Sequence, residues 1–445
     1  MEKTLRALIN PIRLGCENSG TDWTDLECRS EYQRDYDRIA FSRTFRRLQG
    51  KTQVFPAPND ERVHNRLTHS VEAACVGRYL GTKAAIGLGL KAIANDIGSV
   101  VSAAALAHDI GNPPYGHSGE KAIQGFFKSD RGRELLSRLN EEEGDDFREF
   151  DGNQMAFRIM THSLPEKTKA PGGMKLTYAT LAASVKYSCC NASRKGASFP
   201  KAGLFVGQLP TFATIARSLS LPERGDKAWA RHPLAFLVEA ADDIAYRVSD
   251  AEDGCKRGLL SKERLKKRFR NIVRTAPRFD EGELNKALAR ISDPLEQIGF
   301  LRAKVINSLI EQAAGAFVKN ATKIVEGKYH EELLANIPAE QEVKELKRDN
   351  EKIIYSHHSV VEIEAAGFSV LPELLYAYMD SVVSHKHPEK AKKIRQTLPS
   401  EVASPPMGTG EYERLMRVLV YVVGMTDRFA TLAYRTLLGT HLPEF

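Results

Sequence analysis

The sequence predicts an all-α protein, and three observations carry that prediction. Long stretches place apolar residues three and four positions apart, the spacing of one helix face. Strand-like alternation is scarce. Gly or Pro closes several of the periodic stretches, as at Gly50, at Gly111 with Pro113-Pro114, and at Gly254. With 445 residues, 42% of them apolar and 27% charged, the composition is that of a globular chain. A chain of that length buries a large core without needing staples.

Taken in order, residues 1 to about 40 read as a polar arm leading into a first helix, "DYDRIAFSRTFRRLQG", stopped by Gly50. "KTQVFPAPNDERVHN" reads as a loop with two prolines. "RLTHSVEAACVGRYLG" and "IGSVVSAAALAHD" are helices, the second ended by Gly111 and the two prolines, and "GHSGEKAIQGFF" begins another. Residues 163–176 and 190–203 are rich in Gly, Ser, Pro and Lys and read as loops placed over a site. "HPLAFLVEAADDIAYRVSDAEDG" is a helix expected to end at Gly254, and 384–410 reads as a loop or linker. No internal repeat is found. The chemistry-bearing residues fall before position 260, so residues 1–260 are expected to form the core and 261–445 a supporting helical region.

Six cysteines occur, none with CxxC spacing, which removes zinc-ribbon and thioredoxin-like readings. Nothing points to a disulfide framework, as expected in a reducing cytosol. The N-terminal "MEKTLRALINPIRLG" lacks the apolar stretch of roughly 7–15 residues of a secretory signal. No run approaches the about 20 apolar residues of a membrane span. A cytoplasmic location without membrane attachment is therefore expected. Net charge is +7, from 64 basic and 57 acidic residues. This modest excess favours anionic partners, whether phosphorylated metabolites or nucleic acid.

Chemistry gathers in "ALAHDIGNPPYGHSGE" (105–120), "NRLTHS" around His69, and the Asp242-Asp243 pair. Imidazole and carboxylate are ligands for Mn²⁺, Fe²⁺, Zn²⁺ or Mg²⁺. His108 and Asp109 both reach one ion only where the backbone turns, and Gly111 with two prolines supplies a turn. A set of two His and two Asp leaves coordination positions open for water and substrate oxygens, as catalysis requires. His69 shares a helix face with Ala73, Val76 and Leu80, while Leu67, Val71, Ala74 and Cys75 share another, so this helix is expected to be buried. Along 233–256, at about 100° per residue, the core stripe is Leu234, Leu237, Val238, Ala241, Ala245 and Val248. Asp242 lies about a quarter turn from its centre and Asp243 nearly opposite. Asp242 is thus the better ligand candidate, with Tyr246 and Asp250 extending the same edge. Asp243 is expected to support it from behind or to be solvated.

These residues resemble the HD-domain superfamily of metal-dependent phosphohydrolases, whose motif is H…HD…D: here His69, His108-Asp109 and Asp242. The flanking strings "RRLQGKTQVFP", "NRLTHSVE", "AHDIGNPPYGHSGE", "FDGNQMAFRIM", "EAADDIAYRVSDAEDG" and "GMTDRFA" occur in the order seen in the deoxyguanosinetriphosphate triphosphohydrolase-like family. The match runs from about residue 40 to 260, with an echo near 425, and as a set it is specific. The resemblance implies an HD-type helical core and a divalent ion, Mn²⁺ or Mg²⁺ first, with Fe²⁺, Co²⁺ or Zn²⁺ as alternatives. It implies hydrolysis of dGTP or other dNTPs to deoxynucleoside and inorganic triphosphate, by water attack at the α-phosphorus. His117 would protonate the leaving 5′-oxygen, oriented and kept protonated by Glu120 three residues on. Arg66, Lys186 and Lys201 match the family's phosphate grip. Tyr246 matches the tyrosine against the sugar, which would exclude a 2′-hydroxyl. Gln53 and Asn153 sit in matching motifs, as nucleoside contacts or as structural hydrogen bonds. Assembly into homo-oligomers, hexamers among them, is also implied. The chain is shorter than the longer family members.

Two other readings stay open from sequence. One is a different HD phosphohydrolase or phosphodiesterase, which shares the metal residues but need not have His117 and Glu120. The other is a nucleotide-sensing or nucleic-acid-binding scaffold, for which "KERLKKRFRNIVR" is the one clear basic patch; weak, salt-sensitive single-strand binding would mark it.

Overall fold

A computed structural model describes residues 2–17, 29–55, 63–162, 172–194, 196–383 and 388–441. Among these the chain forms 21 α-helices, four short 3₁₀ segments and one π-helical stretch, with β structure limited to isolated bridges. The all-α expectation holds.

The centre is built from four long helices: Arg66–Gly87, Ala94–Ala107, Pro233–Lys256 and Pro294–Val325. The first three pack on one another, and the fourth packs on the first and third. The Arg66–Gly87 and Ala94–Ala107 helices approach closely because their facing positions are small. A Cβ on Gly81 would lie 3.0 Å from Val101 Cγ2, and one on Gly98 would lie 2.8 Å from the Arg78 carbonyl oxygen. Ser102 Oγ donates to the Ala74 carbonyl at 2.9 Å across the same seam. Ala73, Val76 and Leu80 are buried as expected, and so is Ala74; Cys75 is exposed, so the second apolar face is only partial.

The Ala94–Ala107 helix is almost wholly buried and stops at His108, which caps it in right-handed helical geometry. A turn follows, with Ile110 N–H on Ala107 O and Asn112 N–H on Asp109 O. Gly111 is required there: a Cβ would fall 2.1 Å from Gly152 O and 2.2 Å from Ala156 N, both backbone atoms. Gly111→Ala is expected to destabilise the fold by about 1–3 kcal/mol through overpacking. Urea unfolding would read this as a lower midpoint at unchanged slope.

Several boundaries differ from expectation. The N-terminal arm contains a helix, Glu2–Leu8. Leu5, Leu8 and Ile9, at i, i+3 and i+4, bury against the core. The buried His232 ring donates Nε2–H to Leu8 O at 3.0 Å and accepts Leu234 N–H on Nδ1. The helix expected over 35–50 is split into Glu31–Ala40, Arg43–Arg47 and a 3₁₀ turn. Ser42 causes the break: its hydroxyl accepts the Phe45 N–H and caps a new start. The Pro233–Lys256 helix passes through Gly254, where a Cβ would lie 2.4 Å from Ile354 Cδ1. Of the stretch read as a linker, 388–396 and 400–403 are helical, with Ala391, Leu398 and Val402 buried, and Pro388 opens the first turn rather than breaking it. Residues 190–194 and 196–203 form turns and bends, in keeping with the loop reading. Residues 163–171 of the other loop, 56–62 of the proline loop, and 384–387 lie outside the described residues.

Beyond residue 260, Lys262–Arg274 packs on Pro294–Val325. His358–Val383 lies across Gly116–Lys128 and against Glu411–Val423 and Asp427–Leu437. No described helix is long and apolar enough to cross a membrane.

Candidate active site

Side chains from both halves of the chain line a cavity of about 500 Å³. At its floor, His69 Nε2 lies 3.3 Å from His108 Nε2 and 2.9 Å from Asp242 Oδ1. Asp242 Oδ1 is also 3.4 Å from His108 Nε2. The Arg66–Gly87 helix delivers the first imidazole, the end of Ala94–Ala107 the second, and Pro233–Lys256 the carboxylate. The close helix seam brings them together. His108 donates Nδ1–H to the Ala105 carbonyl at 2.7 Å, which leaves its Nε2 lone pair facing the cluster. These three residues form a candidate metal cluster, all donor atoms within 4.8 Å of one another. Nitrogen and oxygen donors from separate elements, without a thiolate, suit a divalent metal ion.

Asp109 sits at the edge of this cluster. Its Oδ1 is 3.4 Å from His108 Nε2 and accepts from Asn112 Nδ2, while Oδ2 accepts from Arg66 Nη1 at 2.8 Å. Burial alone would raise the Asp109 carboxyl; the Arg66 guanidinium, then His108, hold it well below the usual range. Arg66 is therefore tied to the metal floor. Gly116, at φ 57°, makes room for it: a Cβ there would lie 2.8 Å from Arg66 Nη2. Asp243 is not solvated, contrary to one expectation for it. It pairs with Arg247 at 2.9 Å, and burial pushes its carboxyl up to about 7.

The Gly116–Lys128 helix begins after Tyr115, whose φ is 63°. On its first turn His117 Nδ1 meets Glu120 Oε2 at 2.9 Å, and Glu120 Oε1 accepts Gly152 N–H at 2.8 Å. The His117 side chain is 79% exposed and lines the cavity, leaving Nε2 to donate into the cleft. The Glu120 hydrogen bond raises the imidazole above its ordinary value. Glu120 itself is buried.

The remaining expected residues line the same cavity: Gln53, Asn153, Lys186, Lys201, Tyr246 and Asp250. Lys201 Nζ pairs with Asp151 at 2.6 Å, and Asp151 also accepts from Asn153 Nδ2 at 2.6 Å, so Asn153 carries a structural bond as well as a cavity position. Gln53 Oε1 is buried without a hydrogen-bond partner among the described residues. Tyr246 Oη accepts from Arg247 Nε at 3.2 Å. Asp250 accepts from Tyr355 Oη at 2.6 Å, and burial pushes its carboxyl up to about 7.

Sequence reasoning missed two groups. Glu239, one turn before Asp242, holds Lys186 at 2.7 Å and Arg231 at 2.6 Å, gathering two cations on the cavity wall. Its signal was its place on the edge of the Asp242 helix. Tyr355, Val360, Ile363 and Glu364 come from the second half of the chain and close the far wall; no motif marks them. The predicted basic patch at 262–274 is largely paired. Arg264 and Arg268 meet Asp349, and Arg270 and Arg274 meet Glu281, which lowers the charge on offer to a phosphate backbone.

A helical core that converges two imidazoles and a carboxylate from an H…HD…D pattern on a cleft defines the HD class of phosphohydrolase. Residues 66–184 match the HD domain family, and residues 336–436 match the phosphohydrolase-associated domain. A deoxyguanosinetriphosphate triphosphohydrolase-like protein of Synechocystis sp. is 38% identical over 431 residues, covering 93% of this chain and 95% of the relative. One from Pseudomonas aeruginosa is 34% identical over 430 residues, covering 94% and 95%. A deoxyguanosinetriphosphate triphosphohydrolase of Yersinia pseudotuberculosis is 28% identical over 500 residues, covering 93% and 95%. The chain belongs to the deoxyguanosinetriphosphate triphosphohydrolase-like family of HD-domain proteins.

Proposed function

We propose that the protein is a divalent-metal-dependent dNTP triphosphohydrolase that acts on dGTP and other dNTPs, releasing deoxynucleoside and inorganic triphosphate. The observation that carries this reading is the His117–Glu120 pair, fixed by Gly152 N–H, in the same cavity as the His69, His108 and Asp242 donors. A 5′-alkoxide is a poor leaving group, so a protonated imidazole beside it answers a specific chemical need. His69, His108 and Asp242, with Asp109 at their edge, would hold the ion. When bound, it supplies Lewis acidity toward a phosphoryl oxygen.

The chain's own residues would do the rest. Arg66, Lys186 and Lys201 neutralise and orient the triphosphate, with Glu239 presenting Lys186. Water adds to the α-phosphorus and the bond to O5′ breaks. His117 gives its Nε2 proton to O5′, and the proton released by the attacking water restores it. Glu120 keeps the imidazole charged between turnovers. Tyr246 packs against the sugar and disfavours a 2′-hydroxyl, while Gln53, Asn153 and Asp250 contact the nucleoside. In this reading residues 1–260 form the phosphohydrolase core and 261–445 complete the site, in a cytoplasmic homo-oligomer of hexameric type using Mn²⁺ or Mg²⁺.

The test is incubation with each of the four dNTPs and Mn²⁺, with and without EDTA, resolving products by chromatography. Metal-dependent deoxynucleoside with stoichiometric triphosphate supports the reading; no turnover of any dNTP, singly or mixed, overturns it. Lys186→Ala and Lys201→Ala are each expected to remove a charge-assisted bond of about 1.5–3 kcal/mol. KM should rise roughly ten- to a hundredfold with kcat changed less, as for uniform binding of ground and transition states. Initial-rate kinetics reads the split.

A further inference from the structure

The C-terminal motif "GMTDRFA" (424–430) lies outside the cavity wall, and nothing in the reaction scheme uses it. Its Asp427 nevertheless reaches two cavity loops at once. Oδ2 accepts the Thr52 N–H at 2.9 Å, and Oδ1 accepts the Tyr115 N–H at 3.1 Å. Thr52 and the adjacent Gln53 line the nucleotide cavity; Tyr115 and Gly116 lead directly into His117. Both contacts use the acceptor-only character of a carboxylate, one oxygen for each converging amide.

The second loop needs such a hold. Tyr115 stands at φ 63°, a left-handed conformation that is unfavourable for a residue with a Cβ and persists only where its surroundings impose it. Its hydroxyl meets Thr431 Oγ1 at 2.8 Å, one turn beyond Asp427. Its ring seats against Gly367, where a Cβ would come within 3.0 Å of Tyr115 Cβ. Beside this, the buried Lys51 ammonium donates to Asn112 O at 2.5 Å and Val423 O at 2.7 Å, and Arg47 donates to Gly424 O at 3.3 Å. The same short C-terminal segment therefore grips the chain before Gln53 and the chain before His117. Both grips sit behind the site.

We infer that Asp427 is a positioning residue: by accepting the Thr52 and Tyr115 amides together, it sets the place of His117 relative to the metal donors and to the nucleotide loop. This rests on the reading of His117 as proton donor. An asparagine at 427 keeps the shape but turns an N–H against one of the two amides, so the strained turn loses one of its anchors.

The experiment compares wild type, Asp427→Asn, Thr431→Val and His117→Ala with a dNTP and with p-nitrophenyl triphosphate, whose leaving group departs without a proton. Melting temperature and Mn²⁺ stoichiometry are measured alongside. Asp427→Asn is expected to lower kcat on the dNTP about ten- to a hundredfold, the scale of a 1 Å misplacement. It should return to within about threefold of wild type on the activated substrate, as His117→Ala does. The falling alkaline limb of its pH profile should move to lower pH as His117 drifts from Glu120. Thr431→Val, which spares the carboxylate, should show the same pattern at smaller size and keeps the test open if Asp427→Asn folds poorly. Equal defects on both substrates, or wild-type kinetics in both variants, would overturn the inference alone. Wild-type protein that releases no triphosphate would overturn the functional reading and the inference with it.

Discussion

His117→Ala is expected to lower dNTP turnover about 10²–10⁴-fold while leaving Mn²⁺ binding intact, the range for loss of a general acid. The ring stands outside the His69, His108 and Asp242 cluster, so its removal takes away no ligand of that cluster. The pH dependence gives a second handle. Glu120 raises the His117 imidazole above its ordinary value. In the proposed mechanism the acid form is the active one; it is present below that raised value and lost as pH climbs through it. kcat should fall on the alkaline side accordingly. Glu120→Gln removes the charge that holds the proton, so its alkaline limb should move to lower pH, with the Gly152 N–H still accepted by the amide oxygen. Stopped-time assays from pH 6 to 10, with metal content measured on the same samples, read both effects. A His117→Ala variant that keeps the wild-type alkaline limb would remove His117 from the chemistry.

Asp242→Ala should abolish tight Mn²⁺ binding and reduce turnover about 10³-fold or more, because Lewis-acid stabilisation worth several kcal/mol goes with the ion. Asp243→Asn should change much less. Asp243 faces Arg247 at 2.9 Å on the same helix, whereas Asp242 faces both imidazoles. Titration calorimetry with Mn²⁺ on the two variants separates them. Full Mn²⁺ affinity in Asp242→Ala, with loss in Asp243→Asn, would reverse the assignment.

Helix periodicity made much of this legible. The 100° step that separated the two carboxylates matches Asp242 as the one that meets the imidazoles, but not the placing of Asp243 away from the core, since Asp243 is the more buried of the two. The spacing of His117 and Glu120, one turn apart, matches their hydrogen bond. The turn required after His108 is present and is fixed by Gly111. Other features rest on partners far along the chain. Ser42 divides a helix by capping, a choice between two hydrogen bonds for the Phe45 amide that periodicity does not encode. The Glu2–Leu8 helix is docked because the core receives Leu5, Leu8 and Ile9, and because His232, 224 residues along the chain, holds the Leu8 carbonyl. Val360, Ile363 and Glu364 reach the cavity because His358–Val383 lies across Gly116–Lys128, and Tyr355 because the π-helical stretch that it ends packs on Pro233–Lys256. Glu239 is one more polar helix position in the sequence, and only the fold brings Lys186 and Arg231 together on it.

The most direct test of the central claim is hydrolysis of a dNTP in ¹⁸O-labelled water, followed by phosphorus NMR of the products. Attack at the α-phosphorus with the 5′-oxygen leaving places the label in intact inorganic triphosphate and leaves the deoxynucleoside hydroxyl unlabelled. Pyrophosphate or orthophosphate as the first product, or label in the 5′-hydroxyl, would contradict the account and leave an HD phosphohydrolase of different bond specificity.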